Sequence, residues 1–352
     1  MGNTAYIRSD GSKEIGMGHL YRAILISGML ETRFGLKPQI LMKENEQAVA
    51  FMATTGARYL TFPAASIEEE IQFLKEHSLK DAPACLVADV PAVENDPVYM
   101  GSLRQVGCPT IAISDESIWH PIDADIILNG HPHQNNKQYG EEKGIYLTGS
   151  KYFLMDPAYM KSNVAAPTGK IRRILLAFGR TDHLGLVFNV LDALKPLNML
   201  ISVLVISSQA TGYLDRLKQS LKGMPFASRL VVDPVSLYPY WEECDVAIIS
   251  GGNMVFERIA SRVPGATICA LESQLEIAHY FAIKDVNFNL GFAPKLAREE
   301  LPKRLRAFFD NAENHRKQYE NAPLYVRGRG LQYLGDEIQK LFAASGRIIS
   351  PT

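Results

Sequence analysis

Short, unbroken apolar runs alternate with longer segments of helical period along this chain, and the alternation runs through twice. Residues 5–8 read as a strand, followed by a loop and a helix over 18–32. Further strands are predicted at 39–42, 59–62, 85–90 and 110–114, with helical stretches such as 67–77 and 97–106 between them. Strands apolar along their whole length are covered on both faces, which is the signature of a parallel sheet flanked by its crossover helices. Residues 156–170 break the rhythm with Pro157, Ser162, Pro167, Thr168 and Gly169, a turn and linker composition. The rhythm restarts with strands at 174–178, 201–207, 230–232, 246–250 and 267–270, and the last third turns helical over 297–309, 312–319 and 328–342. At 352 residues the chain exceeds the roughly 100 to 200 that one core organises. The expected architecture is α/β: two Rossmann-like doubly wound domains over 1–155 and 156–330, then a C-terminal helix and tail over 331–352, the final helix crossing back onto the first domain.

Hydrophobic residues make up 47% of the chain and charged residues 21%, which excludes a disordered or fibrous protein. The 37 Lys and Arg against 38 Asp and Glu leave a formal net charge of -1, so no global field gathers nucleic acid or anionic lipid. No apolar stretch reaches the roughly 18 residues of a membrane span, and a cytoplasmic location is expected. Cys85, Cys108, Cys244 and Cys269 stand far apart, three of them in or beside apolar runs. They read as core thiols, since neither a secretory context nor a C-x-x-C pair is present.

In open parallel sheets ligands sit beyond the carboxyl ends of the strands, so the strand-to-helix loops carry the candidates. The first runs from Asp10 through Gly16, Gly18 and His19 to Arg22. Its glycines bring backbone close to a ligand, and free N–H groups at the helix start favour anions. Tyr21 stands where a dinucleotide fingerprint needs a third Gly, so NAD is not indicated. His19 either exchanges protons near neutral pH or caps its helix. The second loop is Ser250-Gly251-Gly252-Asn253, with Glu257 one turn on. Backbone amides there can cradle a diphosphate, Asn253 can cap the helix and Glu257 can accept from ribose hydroxyls; the plain alternative is a Gly-rich turn with a solvated Glu. In the third, Gly179-Arg180-Thr181-Asp182, Arg180 meets a phosphate or pairs with a surface acid. Asp89 and Ser114-Asp115-Glu116 place carboxylates at the same rim of the first domain, where one orients a histidine or a sugar hydroxyl, or caps a helix. His131-Pro132-His133 reads as a loop with incidental histidines, because x-Pro-x is extended and no third metal ligand is evident. No Gly-x-Ser-x-Gly elbow, Walker loop or H-E-x-x-H pattern occurs, which removes serine hydrolases, P-loop kinases and zinc peptidases.

Arg8-Ser9-Asp10 followed by Ile15-Gly16-Met17-Gly18-His19 and Arg22 resembles the opening of the UDP-2,4-diacetamido-2,4,6-trideoxy-β-L-altropyranose hydrolases of the pseudaminic acid pathway, shared by related spore coat polysaccharide proteins. The likeness continues through Ser114-Asp115-Glu116, Gly149-Ser150-Lys151-Tyr152, Gly179-Arg180-Thr181-Asp182, Ser250-Gly251-Gly252 with Glu257, and Gln274, to about Gly291. It implies a glycosyltransferase-B-like pair of domains facing each other across a cleft that takes a nucleotide-sugar. The implied reaction is hydrolysis of a UDP-linked amino sugar at its anomeric carbon, without metal or cofactor. By this resemblance the motif histidine is His19, Ser250-Gly251-Gly252 and Glu257 contact the UDP diphosphate and ribose, and Gln274 reaches toward the same ligand. The chain departs from the family's pattern twice: Asp89-Val90-Pro91-Ala92 lacks the tyrosine of an Asp-x-Tyr-Gly-like run, and Arg180 replaces a second Gly. A glycosyltransferase using the same donor site and a non-catalytic binding protein are the competing readings. As a general base, His19 is expected to be kept neutral by the helix start, with Asp10 or Asp115 on its second ring nitrogen.

Overall fold

The computed structural model describes residues 3–12, 15–63, 66–78, 83–115, 120–132 and 144–344. Two compact units form, one from Met1–Asp156 with Arg329–Thr352 and the other from Pro157–Gly328.

The strands of the first unit are β1 (Thr4–Ser9), β2 (Lys37–Lys43), β3 (Tyr59–Phe62), β4 (Cys85–Asp89), β5 (Thr110–Ile113), β6 (Ile126–Asn129) and β7 (Ile145–Thr148). Between them run α1 (Gly18–Phe34), α2 (Glu46–Ala53), α3 (Ile67–Ser78), α4 (Ala92–Asn95) and α5 (Tyr99–Arg104). Among the described residues the sheet order is β3-β2-β1-β4-β5-β6-β7, with every pair parallel. Successive residues of β1 show why its middle is apolar on both faces. Ala5 and Ile7 join the core under α1 and Tyr6 joins a separate core on the other face. α1 offers that core Leu20, Ala23, Ile26, Leu30 and Phe34, a stripe of three- and four-residue spacing, and each of the four larger side chains, fully buried, contributes roughly 1.5–3 kcal/mol. The helix stops at Gly35, whose φ of 61° lets its N–H reach back to Glu31.

The second unit holds β8 (Arg173–Ala177), β9 (Ser202–Ser207), β10 (Ala227–Val232), β11 (Val246–Ser250), β12 (Gly265–Cys269) and β13 (Phe288–Phe292). Its helices are α6 (Leu186–Leu194), α7 (Leu214–Lys222), α8 (Tyr238–Trp241), α9 (Met254–Ala260), α10 (Ser273–Ile283), α11 (Glu300–Phe309) and α12 (Ala312–Tyr325). The described strands again pair in parallel, in the order β10-β9-β8-β11-β12-β13. Each sheet therefore has one point where strand order reverses, between β1 and β4 in the first unit and between β8 and β11 in the second. Such a reversal opens a crevice past the carboxyl ends of the two strands.

The last helix, α13 (Gly330–Ala344), belongs to the first unit. It buries Leu331, Leu334, Ile338 and Phe342, sets Phe342 edge-on to Phe34 at 5.6 Å, and pairs Asp336 with Arg33 of α1 at 2.7 Å. Tyr152, from the Gly149-Ser150-Lys151-Tyr152 segment, packs edge-on to Tyr333 of α13 at 5.5 Å. Three strands, β6, β7 and β13, lie outside the alternation predicted from sequence. β6 and β7 are four residues each, and β13 is broken by a register shift opposite β12 and by Gly291 at φ 111°. Among the described residues no helix is long and apolar enough to cross a membrane.

Candidate functional site

A helix start and two strand ends converge at the reversal between β1 and β4. His19 is the second residue of α1, Asp89 the last of β4, and Asp115 follows β5. His19 Nδ1 lies 2.7 Å from Asp89 Oδ1. Arg22, three residues along α1 and so on the same face, donates from Nε to Asp89 Oδ2 at 2.9 Å, from Nη2 to Asp89 Oδ1 at 2.7 Å, and from Nη1 to Asp115 Oδ1 at 2.5 Å. Asp89 is 1% exposed and Arg22 6%, so the ion array is shielded from water, while the His19 side chain keeps 20% of its surface open. An ionised carboxylate has no hydrogen to give, so this contact assigns the ring hydrogen to Nδ1 and leaves Nε2 as the basic nitrogen. Arg22 Nη2 also lies 2.8 Å from Nδ1; the two are donors gathered on one carboxylate oxygen.

Burial weakens the hold of His19 on its proton, but the hydrogen bond and charge of Asp89 outweigh it, and the pKa is raised above the ordinary 6.5. This corrects the expectation that the helix start keeps the ring neutral. A helix terminus carries only about half an elementary charge, and a full carboxylate at 2.7 Å overrides it. The choice of carboxylate is corrected as well. Asp10 is turned to other partners, accepting from Arg8 Nη2 at 2.6 Å and from the Lys43 backbone N–H at 2.8 Å. Asp115 faces Arg22; burial raises its pKa, but the guanidinium's charge and hydrogen bond hold it far below the usual carboxylate range. Arg8 is 1% exposed and donates to Glu70 at 2.7 and 3.0 Å, with Tyr99 on the same carboxylate at 2.5 Å, so the first arginine of the motif secures the sheet. In the loop before α1, Gly16 adopts φ 75° and forms a bridge with Ser12; Gly18 opens the helix. Lys13, Glu14, Glu116 and His133 lie outside the described residues.

In the second unit, Ser250 ends β11 and Gly251 follows. A Cβ at Gly251 would stand 2.9 Å from both Cys269 Sγ and Gln274 Cβ, so a side chain there would push α10 off the sheet. At Gly252 the nearest atom to such a Cβ is Gln274 Nε2 at 3.8 Å. Packing demands glycine at the first position and not at the second, which is half-buried with its carbonyl accepting from the Val255 N–H at 3.0 Å. Gln274 is the second residue of α10, and its Oε1 accepts from the Ala270 N–H at 2.8 Å. Glu257 accepts from the Tyr159 hydroxyl at 2.8 Å. Two expectations fail here. Asn253 makes no capping bond, because at φ -55° and ψ -29° it already has helical backbone instead of the extended backbone of a capping residue. Asp182, at φ 34° after Gly179 at φ 87°, turns inward instead of toward a ligand. Its carboxylate accepts from the N–H groups of Leu186 and Val187 at 2.8 and 3.1 Å and from Tyr213 at 2.5 Å, and burial raises its pKa despite them. Arg180 is 65% exposed and lies 3.7 Å from Asp233; Thr181 is exposed. Among the described residues no group of three or more His, Cys, Asp or Glu is disposed to hold a metal ion.

No family model matches the chain. Spore coat polysaccharide biosynthesis protein SpsG of Bacillus subtilis is 22% identical over 349 residues, 96% of this chain and 98% of SpsG. The uncharacterized protein MJ1062 of Methanocaldococcus jannaschii is 24% identical over 282 residues, 77% of this chain; the aligned part spans 56% of that relative, a little over half its length. Among solved structures, MurG of Acinetobacter baumannii superposes with a TM-score of 0.71 at 13% identity, covering 96% of this chain and 99% of MurG. Glycosyltransferase VinC in complex with dTDP gives a TM-score of 0.60 at 13% identity, covering 96% of this chain and 100% of VinC. MnaA of S. aureus, solved with UDP, gives 0.62 at 10% identity, covering 99% and 98%. The fold is that of the GT-B glycosyltransferases.

Within that fold the first unit gathers His19, Arg22, Asp89 and Asp115, and the second gathers Ser250, Gly251, Gly252, Glu257 and Gln274. Asp10 and Asp182 are taken up by other protein groups instead, Asp10 by Arg8 and Lys43 and Asp182 by the start of α6 and Tyr213. One residue that the sequence reading set aside joins the first group: His131, whose Nε2 lies 3.7 Å from Asp115 Oδ1. The signal was the four-residue run Ile126–Asn129; once it is recognised as a strand, His131 falls at the same rim as His19.

Proposed function

We propose that this protein hydrolyses a UDP-linked amino sugar at the anomeric carbon, releasing UDP and the free sugar during synthesis of a nonulosonic acid or surface polysaccharide. The observation that carries the reading is the His19–Asp89 pair at the strand reversal, with Nε2 as its basic nitrogen. In the proposed step Nε2 takes a proton from water, the water oxygen bonds to the anomeric carbon, and the bond from that carbon to the diphosphate oxygen breaks with its electron pair going to UDP. Asp89 holds the ring and stabilises the imidazolium that forms. In this reading the backbone N–H groups of the Ser250-Gly251-Gly252 turn take the diphosphate, and Glu257 and Gln274 are assigned to the ribose. The likeness to SpsG along nearly the whole chain supports the pathway class, and the nucleotides bound by VinC and MnaA support the ligand class. The second reading is a glycosyltransferase, favoured by the fold shared with VinC, in which the same base acts on an acceptor hydroxyl.

UDP at 100 times its Kd is expected to add about 2.7 kcal/mol of stability in a thermal-shift measurement. No shift with UDP or UDP-sugars, alongside a clear one with another nucleotide, would refute the ligand assignment. The two glycines separate packing from binding. Gly251→Ala is expected to lose about 1–3 kcal/mol of stability through overpacking against α10. Gly252→Ala should stay within about 1 kcal/mol of wild type yet bind UDP about tenfold more weakly by calorimetric titration. Equal UDP affinity in wild type and Gly252→Ala would remove the loop from the nucleotide site.

A further inference from the structure

A second imidazole stands on the ion array of the first unit. β6 ends at Asn129, whose buried side chain donates to Ser114 Oγ at 3.1 Å and accepts from the His131 N–H at 2.9 Å. Gly130, between them, lies so close to Phe153 that a Cβ would stand 2.6 Å from its Cα. These contacts anchor the backbone at His131. Its Nε2 lies 3.7 Å from Asp115 Oδ1, the oxygen that also accepts from Arg22. His19 and His131 thus occupy the two ends of one continuous series: His19, Asp89, Arg22, Asp115, His131.

We propose that His131 is a positioning residue that sets the proton affinity of His19 through this series, so that a proton on either imidazole opposes a proton on the other. Two ionised carboxylates and one guanidinium leave a single negative charge, enough to balance one imidazolium. With His131 neutral, the pull of Asp115 on a His19 proton is unopposed; with His131 protonated, that pull is cancelled at its source. Among the described residues, the other charged or titratable groups facing the series are Glu94 of α4, whose carboxylate accepts from the Asp115 N–H, and His120, whose Nε2 lies 2.9 Å from the Glu94 carbonyl. Asp10, after β1, is occupied by Arg8. A pair coupled in this way titrates in two steps that belong to the pair. The kinetic consequence rests on the reading of His19 as the base; the coupling itself does not.

The test is an NMR titration of the imidazoles in the full-length protein, comparing wild type with His131→Gln and His131→Lys. The neutral Gln is expected to move the His19 midpoint up and the fixed cation of Lys to move it down, by about half a pH unit or more in each direction. A residue that only supports the fold moves both variants the same way or neither, and either result overturns the proposal. Asp115→Asn provides an independent check, since loss of the anion beside His131 should lower the His131 midpoint; an unchanged midpoint also overturns it. The acid limb of kcat should follow the His19 midpoint. Opposed midpoints in a protein that releases no UDP would sink the function and leave the coupling standing. UDP release that needs His19 but is accompanied by unmoved midpoints would sink the coupling alone.

Discussion

Replacing His19 by Asn is expected to lower kcat about 10²- to 10⁴-fold while nucleotide affinity stays close to wild type. Asn retains a polar atom to meet Asp89, so the ion array survives, but it has no nitrogen that titrates near neutral pH. The wild-type rate should fall on acidification as one proton is taken up, because protonation removes the base. Since the His19 pKa is raised by Asp89, the midpoint of that fall lies above the ordinary 6.5, and activity is full only on its alkaline side. The residual rate of the variant should show no such limb. Steady-state kinetics across pH for both proteins checks this. A variant with near-normal kcat and badly weakened binding would make His19 a residue that places the substrate, and its assignment as base would be withdrawn.

Arg22→Met should destabilise the first unit by about 3–5 kcal/mol, measured by urea unfolding of the whole chain. The guanidinium is 6% exposed and donates to Asp89 at 2.9 and 2.7 Å and to Asp115 at 2.5 Å. Met fills similar volume but leaves the buried Asp89 and the half-buried Asp115 without their shared cation, and losing one partner of a buried pair is the costly case. Asp115→Asn keeps an acceptor for Arg22 and should cost less. A loss below about 1 kcal/mol in Arg22→Met would mean that water reaches the array and that its charges are screened.

Much of this fold was legible because parallel strands announce themselves by continuous apolar runs. The strand over 59–62 coincides with β3, and the run over 246–250 with β11. β6 and β7, no shorter than β3, lay outside the alternation read from the sequence, and β13 is interrupted by Gly291. The candidate site was legible where a residue's place in the strand-to-helix logic sufficed, as for His19, Asp89 and Asp115. What decided between carboxylates was tertiary. The register of β1 and β4 sets Asp89 beside Ser9, and one turn of α1 then brings Arg22 onto Asp89. The same holds for Asp182, whose inward turn depends on Tyr213 some thirty residues away. The difference between Gly251 and Gly252 exists only once Gln274 is packed against the loop.

The most direct measurement is product release from a UDP-linked amino sugar in oxygen-labelled water, with and without an added acceptor sugar. Hydrolysis at the anomeric carbon predicts equimolar UDP and free sugar in the absence of acceptor, with the label in the sugar and none in UDP. UDP release that appears only when the acceptor is supplied, or label found on the phosphate, would contradict it.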